Sequence, residues 1–307
     1  MNVSIIMPVY NGGEILDLTI PPLLKQNYNK GNVEIIIIND ASTDNSLQII
    51  KKYYSNNNIS IISNKNNKGR SYTRNKGIQN SSGQILIFVD CDIEVDQNFV
   101  SNHVKKHLDD NIIGLLSNIQ YQNLNCKDKY HQYLIYGNRG VKKKDDNKPI
   151  HFKNFIIGCT SIKASAVKKI GGFNENINIY GEDLDFSYRL NQLFPNQLYY
   201  TTKIKVYINN LKTIDEAIFL LKQYGQHDAP KLLKKFPDLS TYIAIDFVHN
   251  KKFGVSFKTI IGTILFNSFS FNFFKLVLKI IPFPLSNFII RYILASSIIL
   301  GYRESLK

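Results

Sequence analysis

Short apolar runs alternate with amphipathic stretches along the first half of the chain. Val3–Met7, Glu34–Asn39, Ile59–Ser63 and Gln84–Val89 are brief, rich in Ile and Val, and bounded by turn residues. That is the pattern of strands buried on both faces. Between them, stretches with helical spacing fall at about 14–27, 44–54, 69–80 and 96–108. Thr43 or Asp44 is placed to cap the second of these, and Pro21-Pro22 should kink or restart the first. The alternation predicts an α/β domain with a mainly parallel central sheet flanked by helices. In such sheets ligands bind beyond the carboxyl ends of the strands.

The pattern is less regular further on. Ile112–Ile119 and Phe155–Ile157 read as strands, and the basic stretch Lys142–Lys148 as an exposed loop. A helix is expected at about 182–194, then a strand over Leu198–Ile208. A long amphipathic helix should run from Asp215 to Phe236 and stop at Pro237. From about residue 254 apolar and aromatic positions dominate, punctuated by Lys258, Lys275, Lys279, Arg291 and Arg303. The longest uncharged run, Thr259–Phe274, has 16 residues, short of the roughly 20 that span a bilayer. Pro282 and Pro284 interrupt the next apolar stretch. These features predict helices lying in a membrane interface, with basic side chains toward anionic headgroups. The competing expectation is a helical subdomain packed on the catalytic domain or on a partner. The division expected is a catalytic domain over 1–210 and a helical C-terminal region over 211–307.

Composition narrows the function. Of 307 residues 44% are hydrophobic, which excludes a disordered chain. A formal net charge of +14 points to nucleic acid, an anionic membrane or an acidic small molecule. The basic residues are dispersed and no nucleic-acid-binding motif is present, so nucleic acid is set aside. Cys91, Cys126 and Cys159 are odd in number and lack CxxC spacing, which fits a reducing compartment and gives no zinc or disulfide framework. The opening residues lack a secretory leader pattern. A cytoplasmic protein, peripheral at the inner face of the membrane, is expected.

Four polar constellations carry candidate chemistry. In Ile37-Ile38-Asn39-Asp40-Ala41-Ser42-Thr43-Asp44 a buried strand ends in an acidic turn. Asp40 there is placed to accept a hydrogen bond from a base N–H, although an Asx-turn with helix capping explains the same residues. In Phe88-Val89-Asp90-Cys91-Asp92 another strand delivers two carboxylates, which strand alternation would point to one side. Such close carboxylates repel unless a cation lies between them, and hard oxygen ligands suit Mg²⁺ or Mn²⁺. Arg70 and Arg74 lie one helical turn apart in Asn67–Gly77, a face suited to phosphate or, more simply, to solvent. Finally, Gly181-Glu182-Asp183-Leu184-Asp185 sets three acids at a helix start, after Gly171–Glu175. The helix dipole accounts for one or two of them, and a carboxylate there is also placed as a general base.

In this order the four resemble the family 2 glycosyltransferases. Val3-Ser4-Ile5-Ile6-Met7-Pro8-Val9-Tyr10-Asn11 is similar to that family's first strand, and Asn39-Asp40 with Asp44 to its Asp-Asp-x-Ser-x-Asp element. Asn67 through Gly77 resembles its Asn-x-Gly…Ala-Arg-Asn-x-Gly segment. Asp90 and Asp92 match its Asp-x-Asp, and Glu182-Asp183 its Glu-Asp pair. The resemblance covers about 1–210. It implies a GT-A fold, a nucleotide-diphosphate sugar donor, divalent Mn²⁺ or Mg²⁺, and transfer to an acceptor hydroxyl with inversion. It further implies that Pro8 and Tyr10 line the nucleoside pocket, that Asp40 bonds the base and that Arg74 helps hold the nucleotide. Asp90 would lie near ribose and metal, Asp92 would bind the metal, Asp183 would be the base, and Glu182 would shape the sugar and acceptor site. Asn39 replaces the first acid of the family's pair. No His stands in Lys205–Asn210, where many members place one, so a third metal ligand is not assigned; His227 and His249 lie further on. The membrane-facing tail adds the expectation of a glycan or lipid-linked acceptor in envelope or surface polysaccharide synthesis. A sugar-nucleotide pyrophosphorylase would need a longer glycine-rich loop than Asn11-Gly12-Gly13, and a Rossmann dehydrogenase a GxGxxG after the first strand. The remaining alternative is a non-catalytic nucleotide-sugar-binding or membrane-associated protein of the same fold.

Overall fold

The structure is a computed structural model that describes residues 1–121, 127–137, 140–141, 146, 148–248 and 262–307. Cys126, His249, Lys258 and most of the basic stretch 142–148 therefore lie outside the described residues, as does the start of the apolar run at 259–261.

The elements run in the order β1 (Val3–Val9), α1 (Leu16–Leu24), β2 (Val33–Asn39), α2 (Ser46–Lys51), β3 (Ile59–Ser63), α3 (Arg70–Gln79), β4 (Ile85–Val89), β5 (Ile93–Val95), α4 (Phe99–Lys106) and β6 (Gly114–Tyr121). They continue with α5 (Lys129–Tyr136), β7 (Cys159–Lys163), α6 (Ala164–Ile170), α7 (Glu182–Leu193), β8 (Leu198–Ile208), α8 (Ile214–Gln223) and α9 (Ala229–Lys235). The last two are α10 (Ser268–Ile280) and α11 (Ser286–Glu304).

The chain divides into two compact units. One comprises Met1–Asn123, Gly140–Glu175 and Glu182–Asn210; the other comprises Leu124–Arg139, Asn176–Gly181 and Leu211–Lys307. The first is built on an eight-stranded sheet of order β3-β2-β1-β4-β7-β6-β8-β5. Pairs β1–β2, β1–β4, β2–β3 and β6–β8 are parallel, and the other three antiparallel. The apolar runs form its centre: Ile35, Ile36, Ile37 and Ile38 are all at most 1% exposed. Fully burying each such side chain contributes roughly 1.5–3 kcal/mol. Helix α3 lies close against β1 because Gly77 has no side chain; a Cβ there would stand 2.4 Å from Ile6 Cγ2. That close approach sets the position of the α3 side chains at the carboxyl edge of the sheet.

Several expectations are corrected. Pro21 and Pro22 do not break α1, which runs through both. The helix ends two residues later, where the backbone N–H of Lys25 and the side-chain amide of Gln26 both donate to Pro22 O. Phe155–Ile157 is not a strand. The strand is β7, whose residues Thr160 and Ser161 are buried polar positions that an apolar criterion passes over.

In the second unit, the helix expected over Asp215–Phe236 is interrupted. Between α8 and α9 the chain makes one π-helical turn at Tyr224–Asp228. Asp228 at its end is buried, and Asp228 Oδ2 accepts from the backbone N–H groups of Asn178, Ile179 and Tyr180 at 3.2, 2.7 and 3.3 Å. A buried carboxylate needs such donors, and the wider turn presents Asp228 to them. Among the described residues no helix is long and apolar enough to cross a membrane.

Candidate active site

Strand β1 lies between β2 and β4 in parallel register, with Val9 opposite Asn39. Tyr10, Asp40 and Asp90 therefore leave the sheet along one carboxyl edge. Pro8 is the penultimate residue of β1, and the Tyr10 ring is half exposed. The turns after β1 and β2 are tied together: Asn11 N donates to Ser42 Oγ at 3.0 Å, and Thr43 N to Asn11 Oδ1 at 2.9 Å. Asp40 is only 3% exposed. Asp40 Oδ1 accepts from Asn64 Nδ2 (2.7 Å) and Lys68 N (2.9 Å), and Oδ2 accepts from Gly69 N (2.9 Å). Its carboxylate thus anchors the segment that leads into α3.

Helix α3 carries the centre of the site. Arg74 is 1% exposed and touches three carboxylates. Its Nη2 lies 2.9 Å from Asp90 Oδ1, and its Nη1 lies 3.3 Å from Glu182 Oε1 and 3.2 Å from Asp183 Oδ1. Phe173 lies beneath the guanidinium at 5.4 Å, stacked in turn on Phe186 at 4.2 Å. Arg70, one turn earlier and 45% exposed, reaches Glu182 Oε1 at 3.5 Å. Removing single charges from water costs several kcal/mol each, so this cluster holds only because its members compensate one another. Two guanidiniums stand with Asp90, Asp92, Glu182 and Asp183, which leaves the site formally negative.

Asp183 retains 30% of its side-chain exposure and accepts from Ile157 N at 3.2 Å through Oδ2. Loss of solvent, then the charge of Glu182, push its carboxyl up to about 7, against the opposing pull of Arg74. A partly exposed carboxyl that titrates near neutrality has the properties of a general base.

The alternation argument for Asp90 and Asp92 fails on geometry. Strand β4 ends at Val89, and Ile93 N donates to Asp90 O at 3.0 Å, so the two acids lie in a turn. Asp90 N donates to Gly158 O at 2.8 Å. Residue 158 must be small, because a Cβ there would come within 2.4 Å of Asp90 Oδ2. Among the described residues no group of three or more His, Cys, Asp and Glu side chains is arranged to hold a metal ion. The candidates left from the sequence are Asp90, which is paired with Arg74, and Asp92. These hard oxygen donors fit an ion that takes its other ligands from phosphate oxygens and water, as Mg²⁺ commonly does.

Several contributors were not singled out by the sequence. Asn64 links Asp40 to the amine of Lys76, whose Nζ donates to Asn64 Oδ1 at 2.9 Å. Asn75 fastens the 171–175 loop to α3: its Nδ2 donates to Glu175 Oε1 (2.7 Å), and its Oδ1 accepts from Phe173 N (2.7 Å). Asn75 stands beside Arg74 in the motif, which was the available signal. Burial pushes the Cys91 thiol up to about 12 and raises that of Cys159 as well, so neither serves as a thiolate nucleophile. A cleft at the opposite end of the sheet, lined by Asn2, Gln26, Tyr28 and Asn58, includes one acid, Glu34. Glu34 Oε1 already accepts from Ser4 and Ser82.

The chain is similar to known proteins in sequence and in fold. It is 28% identical over 224 residues to the chondroitin synthase of Pasteurella multocida, a match that covers 62% of this chain and 23% of that protein. It thus spans about a quarter of that relative's length. Among solved structures, TarS 1–349 of S. aureus in complex with UDP-GlcNAc aligns with a TM-score of 0.59 at 16% identity, covering 99% of this chain and 92% of that one. The mannosyltransferase PcManGT of Pyrobaculum calidifontis, in complex with GDP-Man and Mn²⁺, aligns with a TM-score of 0.63 at 14% identity, covering 96% and 86%. The fold is of the GT-A type that the resemblance implied. The profile of glycosyl transferase family 2 matches residues 4–171, more than half the chain, and the chain belongs to that family.

Proposed function

We propose that the protein is a metal-dependent glycosyltransferase that moves a sugar from a nucleoside-diphosphate donor to an acceptor hydroxyl with inversion. The observation that carries this reading is the set of acids around Arg74 at the carboxyl edge of the sheet, with the Asp183 carboxyl among them and partly exposed. Pro8 and the exposed Tyr10 ring would line the nucleoside. Asp40 holds the Asn64–Gly69 wall of that pocket, and its remaining lone pair can accept from a base N–H. Arg74, expected at the nucleotide, is enclosed by carboxylates. In this reading it positions Asp90, Glu182 and Asp183 rather than gripping phosphate, while the more exposed Arg70 faces the donor.

Asp90 and Asp92 would hold Mn²⁺ or Mg²⁺, which supplies charge neutralisation for the leaving diphosphate. Asp183 takes the proton of the acceptor hydroxyl as its oxygen attacks the anomeric carbon, and Glu182 fixes the sugar and acceptor side. The polymer-synthesising relative and the UDP-GlcNAc and GDP-Man complexes of the neighbours support a nucleotide-sugar donor. The basic, apolar C-terminal region supports a peripheral position on an anionic membrane surface and a glycan or lipid-linked acceptor in surface polysaccharide synthesis.

Thermal melting with UDP, GDP, dTDP and CDP, each with and without Mn²⁺, tests the donor site. A ligand at 100 times its Kd stabilises by about 2.7 kcal/mol. The expected result is one nucleotide whose stabilisation depends on Mn²⁺. No shift with any of the four contradicts the reading.

A further inference from the structure

The C-terminal unit presents an ordered apolar stripe that nothing in the proposed chemistry uses. In α10 the side chains of Phe269, Phe273, Leu276 and Ile280 are 82%, 52%, 61% and 82% exposed. Their spacing of four, three and four residues puts them on one helical face. The opposite face is firmly held. Leu278 is buried, and Phe274 packs on Tyr292 of α11 at 4.4 Å. Lys129 Nζ donates to Leu278 O and Lys279 O at 2.8 and 2.7 Å, and Lys275 pairs with Asp215 at 2.7 Å. An N-terminal capping box built by Asn267 and Ser270 fixes the start of the helix. The stripe is therefore the outer surface of an anchored helix, about 20 Å long at 1.5 Å per residue.

The charge along this part of the sequence points to its partner. No Asp or Glu stands between Asp246 and Glu304, whereas seven Lys and Arg do. Lys279 and Arg291 are both exposed. A second copy of this chain would bring an equally basic segment against the first. An anionic lipid surface takes the phenyl rings at the depth of its headgroups and neutralises the bases.

We infer that α10 lies flat on an anionic bilayer, with Phe269, Phe273, Leu276 and Ile280 inserted and exposed bases such as Lys279 on lipid phosphates. This inference rests on the proposed membrane-surface position and names the face responsible for it.

The test is flotation of the full chain with vesicles of phosphatidylcholine alone or mixed with phosphatidylglycerol. The wild type is compared with Phe269→Glu/Phe273→Glu, and with Phe269→Ser/Phe273→Ser in case the acidic pair disturbs folding. Binding of the wild type only to the anionic vesicles, weakened on the order of tenfold or more in the variants, is the expected result. The melting temperature and nucleotide response of the variants should match the wild type. Absence of wild-type binding to anionic vesicles overturns both the membrane position and this face. Binding that persists undiminished in folded variants overturns the face alone. Equal binding to both vesicle types overturns the electrostatic part. A lipid-free dimer that the substitutions dissociate assigns the stripe to a second copy and overturns the inference. The nucleotide response, read separately, reports on the donor site in every case.

Discussion

At the scale of single residues, the site depends on how one guanidinium is shared. Arg74 is buried and contacts Asp90, Glu182 and Asp183 at once, so one positive charge stands against three carboxylates that also repel one another. The consequence falls on Asp183, whose loss of solvent and acidic neighbours outweigh Arg74 and push it up to about 7. A base must be unprotonated to act, so transfer should fall as pH drops below about 7 and level off above it. A cation bound at Asp90 and Asp92 would move that midpoint lower. Asp183→Asn should reduce turnover by about 10²–10⁴-fold and abolish this acid limb, while the nucleotide-dependent melting shift persists. A pH–rate profile with the same acid limb in the variant would show that another group titrates. The four motifs, their order and their acids were legible from sequence because each comes after a recognisable apolar strand or opens a helix. That Arg74 is enclosed by acids from two separate segments, the turn after β4 and the start of α7, was not legible, since that depends on tertiary packing.

Among the elements, the strands β1 to β4 and β8 track their apolar runs closely, whereas β7 was missed for a specific reason. Of its buried hydroxyls, Thr160 donates to Ile156 O, and Ser161 is satisfied by His103 of α4 and His107 just beyond it. Ile112 O can only accept, so His107 Nδ1 carries a proton and donates to it at 3.2 Å. His107 Nε2 then accepts from Ser161 Oγ at 2.8 Å. Ser161 in turn accepts from His103 Nδ1 at 2.7 Å, and His103 Nε2 accepts from Ser117 at 2.9 Å. The chain of bonds has one direction and requires both rings neutral. Burial pushes His107 down to about 4 and His103 well below its ordinary value. Their contribution to stability is therefore complete above about 6.5, the unfolded value, and is lost as pH falls toward 4. The melting temperature of the wild type should decline across that window, and His107→Gln should show a shallower decline from a lower plateau. Parallel curves for the two proteins would contradict this role. The π-helical turn at Tyr224–Asp228 was equally hidden in the sequence, because an amphipathic pattern does not record one inserted residue.

For the whole molecule, the sheet-based unit and the C-terminal unit divide the labour. The first gathers the acids at its carboxyl edge, and the second carries the acid-free basic segment and the apolar stripe of α10. Part of the net charge of +14 thus falls where an anionic surface is expected, while the site itself is formally negative, a charge that the proposed cation would offset before a diphosphate binds. The most direct measurement is release of nucleoside diphosphate from UDP-, GDP-, dTDP- and CDP-sugars, with Mn²⁺, with Mg²⁺ and with EDTA, for the wild type and Asp183→Asn. The account predicts release from one nucleotide class, lost on chelation and in the variant. Release that survives both EDTA and Asp183→Asn, or no release from any donor by a protein that binds the nucleotide, would contradict it.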